Sequence, residues 1–431
     1  MKSIGVGVLG FGTVGAGVVA GFQKNGSLLA QRLGVKPVLR RVADLDVTTD
    51  RGVAVDASVL TKDTLAVVDD ASIQVIVELI GGTGIARELV KRALERGKAV
   101  VTANKALLAE YGEEIFGLAQ KTGADLFFGA SVGGGIPIIR SLRDGLIANR
   151  IDGLCGILNG TCNYILTRMQ EGGLDFQAAL AEAQAKGYAE ANPALDIDGI
   201  DTAHKAAILA RLAYGLHVSR ADMVVEGIRG LASEDIRYAR DLGYRVKLLA
   251  ILGREKNAVT VRVHPALVPH DHVLASVSGV FNAVMVKGDL VGDALFYGRG
   301  AGRLPTASTV LADIADACRH LSSGGRRGWP SADMADSDRV RLRPIGELTT
   351  RYYLRVMLRD QPGTLSRIAA ILGSNRISIA SVLQQEVSDG GHVPIVIVTH
   401  QAREEKLRQA LAGIDGLETV GAPTVAIRIE D

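Results

Sequence analysis

What the sequence has little of excludes several classes of protein. The 431 residues include only three cysteines, Cys155, Cys162 and Cys318, and an odd, small number does not support a disulfide framework. No uncharged apolar run reaches about 18 residues, so no membrane span is predicted. The 49 basic residues nearly balance the 47 acidic ones, without basic runs interleaved with aromatics, so nucleic acid is not an expected partner. We therefore expect a soluble, cytoplasmic protein.

Aromatic residues are also scarce, at 4% of the chain, whereas glycine is abundant, with 51 residues. This combination suits tight α/β packing with many turns between strands and helices. Hydrophobic residues make up 47% of the chain, which is enough for a large core. The length predicts about three structural units.

The order of patterns along the chain predicts the fold of each unit. In residues 1–140 apolar runs alternate with helical patterns, which indicates a Rossmann-type, doubly wound parallel sheet, completed by a helix at 306–321. Residues 141–305 show helices and then strands, which indicates an α+β domain with a mixed sheet for substrate binding and dimerisation. A polar linker is predicted at 322–350, and residues 351–431 follow the ferredoxin-like order β-α-β-β-α-β.

A glycine pattern follows the first apolar run of the chain. Gly10, Gly12 and Gly15 form G-x-G-x-x-G, with Thr13 and Val14 in between, after a predicted buried strand and at the start of a helix. The three glycines permit a tight turn, close approach of the backbone to a pyrophosphate, and close helix–strand packing. The helix start favours an anion, so this segment predicts a dinucleotide site.

The sequence does not distinguish between NAD and NADP as the cofactor. Asp44 ends the second apolar run, later than the ~20 residues expected after the glycines, and an insertion at 26–36 would explain the delay. Asp44 would bind a ribose 2′-hydroxyl and repel a 2′-phosphate, which favours NAD, whereas Arg40 and Arg41 would favour NADP. Alternatively, all three are loop charges.

Two lysines are candidate catalytic groups. Asp201 and Lys205 are i,i+4 neighbours in a helical pattern, so the carboxylate can orient an ammonium that donates a proton to a carbonyl oxygen. The alternative is an ordinary surface ion pair at a helix start. Lys105, three residues after Thr102, follows a strand whose carboxyl end should face the cofactor crevice, which favours a functional role.

Together these segments resemble the homoserine dehydrogenase family. The matching segments follow the family's order over about residues 1–320: Gly10–Gly15, Thr102–Lys105, Ala130–Pro137, Asn159–Thr161, Gly187–Glu190, Gly199–Lys205 and Gly298–Gly302. The chain after about residue 350 looks like an ACT domain, with Asp360–Leu365 at its first strand–helix turn.

The resemblance implies a reaction and the roles of its residues. The reaction is the reversible NAD- or NADP-dependent reduction of L-aspartate 4-semialdehyde to L-homoserine, in threonine, methionine and isoleucine biosynthesis. Lys205 would donate the proton to the aldehyde oxygen and Asp201 would support it. Glu190 would bind the substrate, through its ammonium, and Asp196 would lie in the pocket.

The resemblance also extends the cofactor site and adds a cation. Lys105 would contact the cofactor or the substrate carboxylate, and Thr102 and Gly302 would belong to the cofactor site. Sodium would be held by backbone carbonyls, although Gly129 stands where the family often has glutamate, so a side-chain ligand is lost. The four expected carbonyls belong to Gly129, Val132, Gly134 and Ile136.

An ACT domain implies regulation and assembly. Its first helix N-terminus would bind the carboxylate of an amino-acid effector, for which L-threonine is the favoured candidate, and two such domains usually pair, so a homo-oligomer (dimer or tetramer) is expected. The alternative is a dimerisation domain that has lost ligand binding. The expected effector residues are Asp360, Gly363, Thr364 and Leu365.

Two other functions compete with this interpretation. A semialdehyde dehydrogenase that acylates a cysteine would need a thiol with a base nearby, and Cys162 or Cys155 would have to supply it. A non-catalytic regulator that responds to dinucleotide and amino acid would need no catalytic lysine, so the pairing of Asp201 with Lys205 disfavours it.

Overall fold

The computed structural model describes residues 1–324, 340–384 and 392–430. It divides into two compact units, each made from three stretches of the chain. The first unit comprises Met1–Gly160, Ala203–Arg220 and Phe281–Val340. The second unit comprises Thr161–Thr202, Ala221–Val280 and Arg341–Asp431.

Strands and helices follow one another in both units. The strands are β1 (Ser3–Leu9), β2 (Lys36–Ala43), β3 (Leu60–Thr61), β4 (Val75–Glu78), β5 (Ala99–Thr102), β6 (Leu126–Phe127), β7 (Ile151–Ile157), β8 (Val224–Val225), β9 (Tyr244–Glu255), β10 (Ala258–Pro269), β11 (Phe281–Gly288), β12 (Gly292–Arg299), β13 (Arg341–Leu342), β14 (Thr349–Arg359), β15 (Ile379–Gln384), β16 (His392–Thr399), β17 (Ala402–Arg403) and β18 (Val420–Ile429). The helices are α1 (Thr13–Leu33), α2 (Thr64–Asp69), α3 (Ile85–Glu95), α4 (Lys105–Thr122), α5 (Ile138–Arg140), α6 (Gly160–Gly172), α7 (Phe176–Ala185), α8 (Ala194–Ile197), α9 (Ile200–Tyr214), α10 (Ser233–Asp241), α11 (Arg303–Ser323), α12 (Thr364–Ser374) and α13 (Glu404–Asp415).

A parallel sheet forms the core of the first unit. Its strand order is β3-β2-β1-β4-β5-β6, which reverses direction between β1 and β4. The strands β4 and β5 are buried throughout, because helices cover both faces of a doubly wound sheet. The Rossmann-type fold predicted from the alternating pattern is therefore confirmed, and the reversal between β1 and β4 opens a crevice at their carboxyl ends.

Helices α1 and α11 pack side by side in this unit. Glycine makes the approach possible, because a Cβ at Gly17 would lie 2.5 Å from the Arg303 carbonyl oxygen and one at Gly21 would collide with Leu311. Contacts of 17 with 303 and of 21 with 311 show that the two helices run parallel. Both helices therefore begin at the same edge of the sheet.

The insertion at residues 26–36 stays a prediction, and the structure shows that a long helix fills most of this segment. Helix α1 runs without interruption through Gly26 to Leu33, and β2 begins at Lys36. The delay of Asp44 comes from the length of this 21-residue helix, which gains its stability from packing against α11.

A second sheet of the first unit is antiparallel. Its order is β12-β11-β7, and both pairs of neighbouring strands are antiparallel. The sequence pattern missed β12, in which every residue is half-buried or exposed, because an edge strand of this kind lacks a continuous apolar run.

The second unit has a mixed sheet. Its order is β9-β10-β18-β14-β16-β15, in which β18 is parallel to β10 and the other neighbours are antiparallel. The C-terminal part follows the order β14-α12-β15-β16-α13-β18, so the predicted ferredoxin-like fold is confirmed. Its apolar core lies between the sheet and helices α12 and α13.

Part of the predicted linker at 322–350 is structured. Helix α11 continues to Ser323, and both β13 and the start of β14 lie within the predicted linker. Residues 325–339 lie outside the described residues. In the described ranges, no helix combines the length and apolar character needed to cross a membrane.

Candidate active site

The three glycines after β1 differ in what surrounds them. Gly10 has φ +99°, and a Cβ there would lie 2.7 Å from the Leu79 carbonyl carbon, so the loop turns tightly against the end of β4. A Cβ at Gly15 would collide with the Gly10 carbonyl oxygen. Gly12 differs, since within the described ranges no heavy atom other than those of its chain neighbours lies within 4 Å of the position of its Cβ. The open space therefore lies at the start of α1, where unpaired N–H groups favour an anion.

Asp44 is bound to the glycine loop. Its Oδ2 accepts a hydrogen bond from Phe11 N at 2.5 Å, and its Oδ1 accepts one from Asp46 N at 2.9 Å. Arg40 and Arg41 are exposed on β2, and Arg41 donates to the Ser58 carbonyl oxygen at 2.9 Å. The carboxylate thus fastens the turn between Gly10 and Gly12 to the end of β2.

A carboxylate at the end of β4 was missed by sequence reasoning. Glu78 is fully buried; its Oε1 accepts from Ile80 N and Gly81 N at 2.9 and 3.0 Å, and its Oε2 accepts from Thr102 Oγ1 at 2.6 Å. Asn104 Nδ2 donates to the Gly82 carbonyl oxygen at 2.7 Å. The loops after β4 and β5 are therefore locked together at the edge that carries the glycines. The available signal was an acidic residue directly after a buried apolar run.

Besides α1, two more helices of this unit, α4 and α11, begin at candidate cofactor residues. Lys105 is the first residue of α4, capped by Asn104 Oδ1, which accepts from Leu107 N at 3.1 Å. Gly302, with φ +120°, precedes α11, which begins beside α1 at Arg303. Three helix N-termini thus meet the same edge of the parallel sheet, and each carries a partial positive charge.

Lys205 is buried on helix α9. Only 8% of its surface is exposed, and its Nζ donates to the Leu158 carbonyl oxygen, just after β7, at 2.6 Å. Asp201, one turn earlier on the same helix, is 6% exposed. Burial at both positions contradicts the alternative of an ordinary surface ion pair, because a solvated pair would leave both side chains in water.

The expected substrate residues Glu190 and Asp196 belong to the second unit. Glu190 is exposed, and its backbone carbonyl accepts from Gln184 Nε2 at 3.1 Å. Asp196 is half-buried in α8, and its carbonyl oxygen accepts from Cys162 Sγ at 3.2 Å. Thr161 Oγ1 donates to the Tyr188 carbonyl oxygen at 2.6 Å. The start of α6 therefore holds both ends of the turn that carries these two acids.

The expected sodium carbonyls lie in a buried loop of the first unit. The Gly134 oxygen already accepts from Thr309 Oγ1 at 2.7 Å, and the Ile136 oxygen accepts from Ile138 N at 2.8 Å. Gly129 N donates to the buried Asp313 carboxylate at 2.8 Å. Two of the four oxygens therefore have one lone pair engaged, and each retains a second.

The predicted effector turn connects β14 to α12. Asp360, Gly363 and Leu365 are exposed, whereas Thr364 is 3% exposed. Gly363 has φ +89°, a conformation that favours glycine, and it ends the turn directly before the helix. The exposed start of an 11-residue helix is thus available to a carboxylate.

Family models match nearly the whole chain. One described as "Homoserine dehydrogenase, NAD binding domain" matches residues 10–129, one described as "Homoserine dehydrogenase" matches 137–315, and one described as "ACT domain" matches 352–416. A homoserine dehydrogenase from Neisseria gonorrhoeae is 45% identical over 432 residues, which cover 100% of this chain and 99% of the relative. The chain belongs to the homoserine dehydrogenase family. It is therefore an NAD(P)-dependent oxidoreductase with a C-terminal ACT domain.

Other relatives agree with this membership. A homoserine dehydrogenase from Pseudomonas aeruginosa is also 45% identical, over 100% of this chain and 99% of the relative. The crystal structure of a homoserine dehydrogenase from Thiobacillus denitrificans has a TM-score of 0.94 at 44% identity, covering 100% of this chain and 99% of that one. A hyperthermophilic archaeal homoserine dehydrogenase, solved in complex with NADPH, has a TM-score of 0.63 at 28% identity and covers 73% of this chain and 98% of its own.

The residues of the first unit fit a nicotinamide dinucleotide. The open space at Gly12 suits a pyrophosphate, and the helix starts at Thr13, Lys105 and Arg303 supply positive potential at the same edge. Arg303 was not singled out from the sequence, because its proximity to Gly17 depends on the packing of α11 against α1.

Proposed function

We propose that the chain reduces L-aspartate 4-semialdehyde reversibly to L-homoserine, with Lys205 as the proton donor to the aldehyde oxygen. The observation that carries this proposal is the buried ammonium of Lys205, held at 2.6 Å by the Leu158 carbonyl oxygen in a chain of this family. The carbonyl partner holds the ammonium in place, and an ammonium is a group that can donate a proton to a substrate oxygen.

The cofactor supplies the hydride chemistry when it is bound. The chain's own groups then orient the substrate and stabilise negative charge on its oxygen. Lys205 gives its proton to that oxygen, and Asp201 supports the charged lysine. Glu190 receives the substrate ammonium, and Asp196 lines the same pocket. Low exposure of Lys205 and Asp201 strengthens their electrostatic effect, since fixed charges act more strongly away from water.

The cofactor site is proposed to consist of residues of the first unit. The members are Gly10, Gly12, Thr13, Val14, Gly15, Arg40, Asp44, Thr102, Lys105 and Gly302. Asp44 has one oxygen bonded to Phe11 N and the other to Asp46 N, so each retains a lone pair that a ribose hydroxyl could use. A titration with NAD and NADP distinguishes the two cofactors by their Kd values.

We also propose sodium binding, on the basis of the family resemblance. The ligands would be the backbone carbonyls of Gly129, Val132, Gly134 and Ile136. No side-chain ligand is available at Gly129, so we expect weak sodium binding.

The proposed domains are 1–140 with helix 306–321 for the cofactor, 141–305 for the substrate and dimerisation, and 351–431 for regulation, in a homo-oligomer.

Lys205 is tested by substitution. We expect Lys205→Ala to lower kcat by about 10²–10⁴-fold, the range for removal of a general acid, while the Kd of NADPH stays within twofold. Lys205→Arg keeps a charge but cannot release a proton at neutral pH, so it should also be inactive. Turnover of Lys205→Ala within tenfold of the wild type would disprove the assignment.

Feedback inhibition by L-threonine at the turn of Asp360, Gly363, Thr364 and Leu365 is the second part of the proposal. Its support is the ACT domain and the exposed helix start. Leu365 is 39% exposed in the first turn of α12, so Leu365→Glu should preserve folding and repel the effector carboxylate.

We expect Leu365→Glu to raise the threonine concentration for half-inhibition by at least tenfold without changing uninhibited turnover. Leu365→Gln is the matched neutral control and should have a smaller effect. If the two variants respond to threonine alike, a carboxylate does not bind at this helix start.

A further inference from the structure

A buried charge cluster joins the C-terminal module to the rest of the second unit. Arg428, near the end of β18, donates to both oxygens of Glu226, through Nη1 at 2.7 Å and through Nη2 at 3.0 Å. It also donates to Glu404 of α13 at 2.7 and 2.9 Å. The side chains of Arg428 and Glu404 are 6% and 4% exposed, whereas that of Glu226 is 43% exposed.

Backbone pairing supports the same connection. β18 lies parallel to β10, with Arg428 opposite Ala266, and Glu430 N donates to the Leu267 carbonyl oxygen at 2.9 Å. Arg262 of β10 donates to both carboxylate oxygens of Glu430 at 2.8 and 2.9 Å. The end of β18 is therefore fixed to the same side of β10 that carries β8 and Glu226, because β9 covers the opposite side along its whole length.

The residues that follow Glu226 contact residues 196–201, which we call the substrate segment. A Cβ at Gly227 would collide with the Ile197 carbonyl oxygen and lie 2.5 Å from Asp198 Cα, so the two backbones touch. Ile228 N donates to that same carbonyl oxygen at 2.8 Å. Arg229 binds Asp198 with two hydrogen bonds, at 2.8 and 3.0 Å. Three successive residues after Glu226 thus hold the segment.

The substrate segment contains a tight turn that packs against residue 226. Gly199 has φ +81°, and a Cβ there would lie 3.3 Å from the Glu226 carbonyl oxygen, so the turn before α9 is packed directly against residue 226. Asp196 and Asp201, the proposed pocket acid and the proposed support of Lys205, lie on either side of this turn. Residue 226 therefore packs against the turn that joins the two acids.

The other end of β18 lies beside the effector turn. Arg359 N, next to Asp360, donates to the Thr419 carbonyl oxygen at 2.8 Å, directly before β18 begins at Val420. The ten residues of β18 span about 30 Å. One strand, paired with β14 along its length and with β10 at Arg428 and Ile429, thus runs from the effector turn to Glu226.

We propose that the contact of Arg428 with Glu226 is the link through which the C-terminal module acts on the substrate segment. Arg428 and Glu226 are positioning residues in this scheme, and neither touches the substrate. An effector that shifts β18 along or across β10 moves Glu226, and Gly227, Ile228 and Arg229 pass the shift to Asp196 and Asp201. This inference rests on the proposed roles of those two acids and of the effector turn.

The test breaks the link at its more exposed partner. Glu226→Ala removes both hydrogen bonds from Arg428 but leaves its pairing with Glu404, so the buried guanidinium keeps a counter-charge. Glu226→Gln retains one acceptor and should be intermediate. Arg408→Gln is the control, because Arg408 donates to Glu404 Oε1 at 3.1 Å and is 54% exposed, so its substitution leaves the hydrogen bonds from Arg428 to Glu226 in place.

Three measurements are made on each full-length variant: KM values for homoserine and NADP, hydrogen exchange of residues 194–202, and inhibition by threonine together with its thermal shift. For Glu226→Ala we expect a five- to tenfold higher homoserine KM, an NADP KM within twofold, and faster exchange in the segment. Threonine should still raise the melting temperature but inhibit at least fivefold less strongly. Arg408→Gln should match the wild type.

The outcomes separate this inference from the proposed function. Unchanged homoserine KM and unchanged exchange in Glu226→Ala overturn the link, whatever threonine does. Faster exchange with unchanged KM overturns the positioning role. If threonine has no effect on the wild type, the effector proposal fails, and the KM and exchange of Glu226→Ala alone decide the link. Inhibition of Glu226→Ala equal to that of the wild type overturns transmission by this contact.

Discussion

Gly12 offers a substitution whose effects on folding and on cofactor binding should separate. Its φ of −71° and ψ of −156° are open to any residue, and within the described ranges no heavy atom other than those of its chain neighbours lies within 4 Å of the position of its Cβ. It is also the N-cap of α1, where aspartate and asparagine are preferred over other residues. Gly12→Asp should therefore leave the free energy of unfolding unchanged or raise it by a few tenths of a kcal/mol.

Cofactor binding should respond differently. A carboxylate at position 12 would lie about 4–5 Å from a pyrophosphate at the start of α1, where two unit charges repel by about 1–4 kcal/mol at effective dielectric constants of 80 to 20. Each 1.4 kcal/mol is tenfold in affinity, so we expect the Kd of NADPH to rise by about 5- to 700-fold. Gly12→Asn has the same size without the charge, so the difference between the two variants isolates the electrostatic part.

The assay is a fluorescence titration with NADPH and NADH, combined with thermal melting of the apoenzyme. Gly15→Ala is the structural counterpart: its Cβ would collide with the Gly10 carbonyl oxygen, and overpacking of this kind costs about 1–3 kcal/mol of stability. Equal Kd values for Gly12→Asp and Gly12→Asn would refute an anion at this helix start. A large drop in the melting temperature of Gly12→Asn would refute the open space.

Two further predictions concern buried groups of the second unit. Burial lowers the pKa of Lys247 from 10.5 to about 8, and the nearby charge of Arg245 lowers it further in the same direction. Between pH 8 and pH 10.5 the folded state therefore binds fewer protons than the unfolded state, so the free energy of unfolding rises with pH in this range. Lys247→Met should remove about 2 kcal/mol of that rise between pH 7.5 and pH 10, measured by urea unfolding of the wild type and the variant at both pH values. Because Cys162 is fully buried and bonded to the Asp196 carbonyl oxygen, iodoacetate at pH 7 should leave turnover unchanged; inactivation in proportion to its labelling would favour the cysteine-acylating alternative.

Local pattern was sufficient for much of the fold. The runs that became β1, β4 and β5 are continuous and apolar because they are buried on both faces, and that requirement is visible along the chain. The glycine pattern and the β-α-β-β-α-β order of the C-terminal part are likewise local features. The edge strand β12 escaped prediction because its side chains are only partly buried.

What the amino-acid pattern determined is therefore the kind of each element, since periodicity records which face of a helix or strand must leave water. The tertiary structure decided which distant residues meet: Lys205 with the Leu158 carbonyl, 47 residues apart, and Arg428 with Glu226, 202 residues apart. Such pairs depend on how strands cross and in which register they pair, and these choices are made by the packing of whole elements. The residues next to a charged side chain in the sequence do not indicate which distant residue it will contact.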